Sequence, residues 1–443
     1  MLPQQLPVRD TTPASGDGRR PARFPGFRAR RARMLAFFAV MGPGLVAANA
    51  GNDAGGIATY ATVGAEQGYQ LLWMMVLILF SLAVVQEMCA RMGAATGKGL
   101  SDLIREQFGI RWVALAMLTL FVANTGTTVS EFAGIAASME LFGVSKYLSV
   151  PAAGLLVWLL VVKGSYQQVE KVFLVMTLVF FAYPISAILA HPNWSQVATG
   201  ILRPSFSLDP TYVTLFIATV GTTITPYMQV FVQSSTVEKG VTPSEYPLER
   251  IEVYLGSLFS NGIALTIIIA TAATLHAHGQ HVESAAQAAV ALTPFAGPYA
   301  SALFAIGLLG ASLLAAAVLP LATAYSITEA FGFEHGVSQA AGDAPVFMII
   351  FTGLIVFGVV IILIPGIPLI QLLLLVQVLN GLLLPILLVF IIRLASNRDL
   401  MGSLVSGPVN HTIAILTASA VTVLSVLLIL ITVLGWFGVG PGG

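Results

Sequence analysis

The residues best suited to chemistry lie in the run Ala-Asn-Ala-Gly-Asn-Asp-Ala-Gly-Gly over positions 48–56. Asp53 falls within the first long apolar segment, where an ionised carboxylate and a readily broken backbone would be very costly against lipid. Such a site must face protein or water. Glycines that interrupt a membrane helix leave carbonyl and N–H groups free at the midplane, and a carboxylate beside them makes a cation site, which points to ion transport. A second interruption, Gly221-Thr-Thr-Ile-Thr-Pro-Tyr227, falls inside a later apolar segment. There Pro226 removes a helical donor, while Gly221 and the threonines can satisfy freed backbone groups. No Lys or Arg lies in the core of any predicted span, so a bound cation is the simplest counter-charge for Asp53.

Other reactive side chains have plainer readings. Glu87, near the end of the second apolar segment, reads as an interfacial acid reaching water or Arg91, with a cation-exit role as the alternative. Tyr60, Tyr69 and Trp73 fit an aromatic belt better than a ligand box. His276, His278 and His281 resemble a metal-binding tract, but Gly279, Gln280 and Ser284 around them suit an ordinary solvated loop. The single cysteine, Cys89, excludes an internal disulfide and reads as a packed thiol.

The elements that must position Asp53 are membrane helices. Of 443 residues, 57% are hydrophobic and 9% charged, with a mean hydropathy of +0.88, far from the roughly 25% charged residues of a soluble domain. The formal net charge is zero, so nothing suggests a nucleic-acid partner. Apolar stretches of membrane-spanning length predict helices near 35–62, 69–92, 112–140, 147–163, 170–190, 211–236, 250–276, 298–329, 345–364, 368–394 and 411–437, eleven in all. Residues 1–34, rich in Arg, Pro and Gly, read as a disordered basic arm without a cleavable signal peptide. With that arm inside, 18 of the 20 Lys and Arg residues fall on the cytoplasmic side, leaving only Lys146 and Arg203 outside. This bias predicts a cell-membrane protein with a cytoplasmic N-terminus and, from the odd helix count, an extracellular C-terminus.

The two breaks occupy corresponding positions in two five-helix halves, and an odd number of helices per half requires the halves to be inverted. The expected fold class is therefore all-α, with a LeuT-like inverted repeat of helices 1–5 and 6–10 and broken helices 1 and 6. The core spans 35–394, as halves 35–190 and 211–394, and residues 395–443 add an eleventh helix and a short external end.

At these residues the chain resembles the Nramp family of divalent-metal transporters, and more closely its Nramp-related magnesium transporter branch. The matching motifs run from Gly42-Pro43-Gly44 to about Gly402. They include Gly164-Ser-Tyr-Gln-Gln-Val-Glu-Lys171, Gln233-Ser-Ser235, Gln377-Val-Leu-Asn380 with Leu384-Pro385, and Asn397-Arg-Asp-Leu-Met-Gly402. Where Nramp proteins carry Asp-Pro-Gly-Asn, this chain has Asp53-Ala54-Gly55-Gly56, which keeps the acid and loses the amide. The family's Met-Pro-His is matched by Thr225-Pro226-Tyr227; aligning Gln233-Ser-Ser235 instead shifts the register by one, and the thioether is absent either way.

A methionine sulfur favours soft transition metals, whereas oxygen ligands suit Mg²⁺ and Mn²⁺. Mg²⁺ keeps several of its waters, so a roomier site with smaller side chains favours it. The resemblance thus implies divalent metal ions as partners, with no cofactor beyond the transported ion. It implies Asp53 as the one strong charge, room at Gly56 and Thr225, carbonyls from Thr222 or its neighbours, Tyr227 nearby, and Gln377 or Asn380 lining the site from the tenth span. Glu131 matches one acid of the family's third-span proton path, with Thr128 where a second is expected. The ninth span lacks the family's arginines. Transport driven by the ion gradient and membrane potential, without obligatory proton movement, follows as an expectation. The alternatives are a proton-coupled transition-metal transporter and a sodium-coupled amino-acid or small-solute permease of the same fold. In the permease, Asp53 would repel the substrate carboxylate. A membrane-embedded enzyme lacks any nucleophile with its base within a span. Oligomeric state is left open by the sequence.

Overall fold

The helix start at Asp53 and the helix break at Thr225 have local causes visible in a computed structural model, which describes residues 53–163, 178–333 and 344–436. Asp53 is extended (φ −68°, ψ 175°) and caps helix α1 (Ala54–Gln67), its Oδ1 accepting from the Gly56 N–H at 2.6 Å. A side-chain acceptor at this position satisfies one of the donors that every helix start leaves open. Helix α6 (Pro210–Thr223) ends at Ile224, and Thr225 is extended at φ −61°, ψ 141° before α7 (Pro226–Glu238) begins. Pro226 dictates this: it excludes its predecessor from the helical region, then starts the next helix with its own φ already set.

The helices that fill the other expected spans are α2 (Leu72–Thr96), α3 (Ile110–Glu140), α4 (Lys146–Val162), α5 (Ala182–Leu189), α8 (Tyr246–Thr274), α9 (Ala300–Phe331), α10 (Pro345–Leu363), α11 (Leu369–Ala395) and α12 (Pro408–Trp436). Every described element is helical. Among the described residues eight helices are long and apolar enough to cross a membrane, α6 and α7 counting as one, while α4 and the 178–189 segment are shorter apolar helices. Boundaries match the expected spans to within a few residues, with α1 extending past 62 and α2 past 92. The arm over 1–34, the first half of the opening span, the motif over 164–171 and the start of the fifth span lie outside the described residues.

Small residues bring the breaks and their partners together. A Cβ at Gly221 of α6 would collide with the backbone of α11, lying 2.8 Å from Gly381 Cα and closer still to Gln377 O and Gly381 N. A Cβ at Gly381 would in turn meet Ile217 O at 2.6 Å. Two helices in backbone contact can be joined only by residues without side chains, and the contact sets Gln377, one turn before Gly381, against the broken segment. Gly134 of α3 likewise leaves room for the Ala54 and Ser312 side chains, 2.4 Å from where its Cβ would lie. Gly221→Ala is expected to lower stability by about 1–3 kcal/mol, because the obstacle is backbone with no rotamer to adopt. A drop in the melting temperature of the detergent-solubilised protein would register it, and an unchanged value would place α6 and α11 farther apart than described.

Candidate functional site

Four chain segments converge at the breaks: the start of α1, the middle of α3, the α6–α7 junction and the middle of α11. Asp53 is 2% exposed, and its Oδ2 has no hydrogen-bond partner. Thr222 and Gln377 face this carboxylate from α6 and α11 without closing a hydrogen bond to it. Buried Thr222 Oγ1, Thr225 Oγ1 and Gln377 Nε2 are likewise unpartnered. Buried polar atoms are nearly always hydrogen-bonded in folded proteins, so a cluster of orphans marks a place built for something else. The open carbonyls at the C-terminus of α6 give that end a partial negative charge, which favours a cation.

Asn380 stands one turn beyond Gln377 and holds it. Its Nδ2 donates to Gln377 Oε1 at 2.9 Å and to Thr127 Oγ1 at 3.0 Å. Asn380 therefore orients Gln377, and Gln377 is the amide nearer the carboxylate. Gly55 makes the approach possible, since a Cβ there would overlap the Gln377 amide. Gly56 contributes its N–H to Asp53. Tyr227 is buried in the first turn of α7, within electrostatic reach of Asp53, Glu131 and Tyr60.

Three expectations need correction. Asp53 is not the only charge at the break, because buried Glu131 accepts a hydrogen bond from the Ala54 N–H at 3.4 Å through Oε2, leaving Oε1 without a partner. Residue spacing hides this proximity, as Asp53 and Glu131 are brought together only by the packing of Gly134 on Ala54. Tyr60 does not belong to an interfacial belt; it is 1% exposed, and its hydroxyl is hydrogen-bonded to Thr223 Oγ1 at 2.8 Å. Trp73 and Tyr69 are only partly buried. Glu87 reaches Arg91, at 3.5 Å, as one of its two expected partners, but not water: it is buried and accepts from Tyr246 Oη and from Asn410 Nδ2 at 3.0 Å. Arg91 thus lies inside α2 and is occupied by Glu87 and Ser406, not by Asp53.

The histidines at the end of α8 separate. His276 Nδ1 meets Ala65 O at 2.8 Å, His278 Nδ1 meets Thr274 O at 2.6 Å, and His281 Nδ1 meets Glu66 Oε1 at 2.7 Å. Glu66 raises the pKa of His281 through the hydrogen bond and its charge. Among the described residues no three His, Cys, Asp or Glu side chains gather as a metal site. A cleft of about 640 Å³ opens beside His276, Tyr69, His191 and Arg203 and includes no residue of either break.

Comparison with known proteins identifies the family and the fold. A family model described as natural resistance-associated macrophage protein-like (Nramp) matches residues 44–431. The chain is similar to a divalent metal cation transporter MntH of Deinococcus radiodurans, 28% identical over 389 residues, covering 84% of this chain and 85% of that protein. Its fold is similar to that of the Eremococcus coleocola manganese transporter, with a TM-score of 0.72 at 20% identity over 91% of this chain and 89% of that one. A more distant likeness, TM-score 0.54 at 16% identity, covers 87% of this chain and 97% of MhsT, a protein solved in complex with L-phenylalanine. The architecture is that of LeuT-like membrane transporters, and the relatives are named as transporters in a family that is not enzymatic. With a match over most of its length and the shared fold, the chain belongs to the Nramp family.

Proposed function

We propose that this chain transports small hard divalent cations, Mg²⁺ and Mn²⁺, by alternating access, and that it stands with the magnesium-transporting branch of its family. The observation that carries the reading is the buried, unpartnered Asp53 Oδ2 facing Thr222 and Gln377, with Thr225 where the family's thioether would stand. Carboxylate, hydroxyl and carbonyl oxygens suit hard cations, and small residues at 56 and 225 leave space for retained water. The ion-facing set is Asp53, Gly56, Thr222, Thr225, Tyr227 and Gln377. Asn380 holds Gln377, and Glu131 lies on the cation's path. Glu87, tied to Arg91, Tyr246 and Asn410, is a structural acid in this reading. The bias of the basic residues supports a cytoplasmic N-terminus and an external C-terminus at a plasma membrane, around a core of 35–394. An amino-acid permease of the same fold is disfavoured by the two carboxylates at the first break, which would repel a substrate carboxylate.

Uptake of Mg²⁺ and Mn²⁺ into proteoliposomes, with Cd²⁺ as competitor, tests the assignment. Both ions are expected to enter with weak inhibition by Cd²⁺. Amino-acid flux without divalent flux would overturn it. Restoring the family's ligands with Thr225→Met and Gly56→Asn should strengthen Cd²⁺ inhibition by about tenfold, the effect of one soft donor worth roughly 1.4 kcal/mol. If neither substitution changes that inhibition, these positions do not face the ion.

A further inference from the structure

From the ion-facing Thr225, which caps helix α7, a polar stripe continues along that helix past the ion site. Thr225, Gln229 and Gln233 recur every four residues and so share one face, each about 6 Å along the axis from the last. All three are at most 1% exposed. Gln229 Nε2 donates to Thr225 O at 3.3 Å, and Gln233 Nε2 donates to Lys98 O at 2.9 Å. Because both acceptors are backbone carbonyls, only the amide nitrogen can meet them, which fixes the orientation of each side chain. The opposite atoms, Gln229 Oε1 and Gln233 Oε1, have no partner, and neither has Thr225 Oγ1. Three buried oxygens in a row without donors would each be costly in a sealed core.

The stripe runs from the break toward a carboxylate pair. Thr236, the next polar residue on this face, donates to Glu249 Oε1 at 3.3 Å. Lys239 Nζ binds Glu249 at 3.1 Å and Glu252 at 2.9 Å, so two acids share one base and one negative charge remains. Gly93 of α2 lies against the stripe, where a Cβ would meet Gln233 O at 2.9 Å and Thr236 Cβ at 3.1 Å. The stripe is therefore closed under α2 in this conformation and would open if α7 and α2 separated.

We propose that Thr225, Gln229 and Gln233 form a relay of neutral oxygen atoms that passes a hydrated divalent cation from Asp53 to the cytoplasmic carboxylates Glu249 and Glu252. The proposal rests on the reading of this chain as a divalent-cation transporter. Neutral oxygens suit the task, since a conducting step needs contacts strong enough to admit an ion and weak enough to release it. A carboxylate in the same place would hold the ion.

The test uses the full chain in proteoliposomes, reading initial rates of Mg²⁺ uptake beside equilibrium Mn²⁺ binding to the detergent-solubilised protein. Gln229→Leu keeps the volume and removes the oxygen; it is expected to lower the maximal rate about tenfold while leaving Mn²⁺ affinity within about twofold, the effect of one lost contact to a charged group. Gln229→Glu should bind Mn²⁺ more tightly and also turn over more slowly, a combination that a packing role would not produce. Should Gln229→Leu fail to fold, Gln233→Leu and Gln229→Glu decide. Parental rates in these variants overturn the relay, as does a rate lost only in proportion to Mn²⁺ affinity. If the parental chain neither binds nor moves a divalent ion, the transport reading falls and the relay with it.

Discussion

Replacing Asp53 with Asn should abolish divalent uptake in proteoliposomes while leaving a folded helical protein. The substitution preserves volume, and Asn is as good a helix cap as Asp, so its side-chain oxygen can still accept from the Gly56 N–H that Asp53 Oδ1 now holds at 2.6 Å. What disappears is the charge. At an effective dielectric near 20, a unit charge about 4 Å from another is worth about 4 kcal/mol, so even one of the two charges of the ion accounts for roughly three decades of affinity. Glu131 remains beside the Ala54 N–H, and a residual weak affinity traceable to it would vanish in Asp53→Asn/Glu131→Gln. Uptake by Asp53→Asn at the parental rate, from protein with the parental melting temperature, would sink the assignment of Asp53 as principal ligand.

Much of this site was legible in the sequence because each break carries its own local cause. Asp53 among glycines and Thr225 before Pro226 interrupt a membrane helix whatever surrounds them; the second break occurs where it was expected, and α1 starts directly after Asp53, the residues before it lying outside the described ones. Apolar length likewise placed the helices, since the bilayer leaves few other options for twenty apolar residues. The features that escaped depend on packing. Glu131, named only as a path acid, meets Ala54 because Gly134 lets α3 approach, and Gln377, named from the resemblance, owes its approach to Gly221 and Gly381, which let α6 and α11 touch. A glycine in an apolar run signals close approach without naming the partner. Tyr60 illustrates the converse error, because an aromatic read with Tyr69 and Trp73 as an interfacial belt bonds Thr223 through its hydroxyl in the interior. Gln229 left a usable signal, a polar residue three positions past Pro226 and four before Gln233. On a helix that spacing draws a line.

Asp53 and Glu131 also frame the question of coupling. Two buried acids beside an ion site could take up a proton when the ion leaves, but a proton must then find a route away. Along α3 the next candidate is Thr128, whose hydroxyl donates to Asn124 O at 2.8 Å. Where α3 meets α10, Gly358 lies against the Phe132 ring and the Thr128 methyl, an apolar seam. No Lys, Arg or His lies in α10. A chain of titratable groups leading from Glu131 into that interface is missing among the described residues.

Metal influx should therefore be electrogenic and leave the pH inside the vesicle unchanged. Moving one elementary charge through 100 mV is worth about 2.3 kcal/mol, so an inside-negative potential of that size favours a divalent ion by about 4.6 kcal/mol. At equilibrium this corresponds to accumulation on the order of 10³-fold, and collapsing the potential should abolish it. A transporter that exchanged one metal ion for two protons would show neither response. Simultaneous recording of Mg²⁺ uptake and internal pH, with the potential clamped by a potassium gradient and valinomycin, separates the cases. Metal-dependent proton movement at a fixed ratio would mean that Glu131 and Asp53 exchange protons through groups outside the α3–α10 seam. Glu131→Gln would then identify the acid responsible by abolishing the proton signal while metal binding at Asp53 persists.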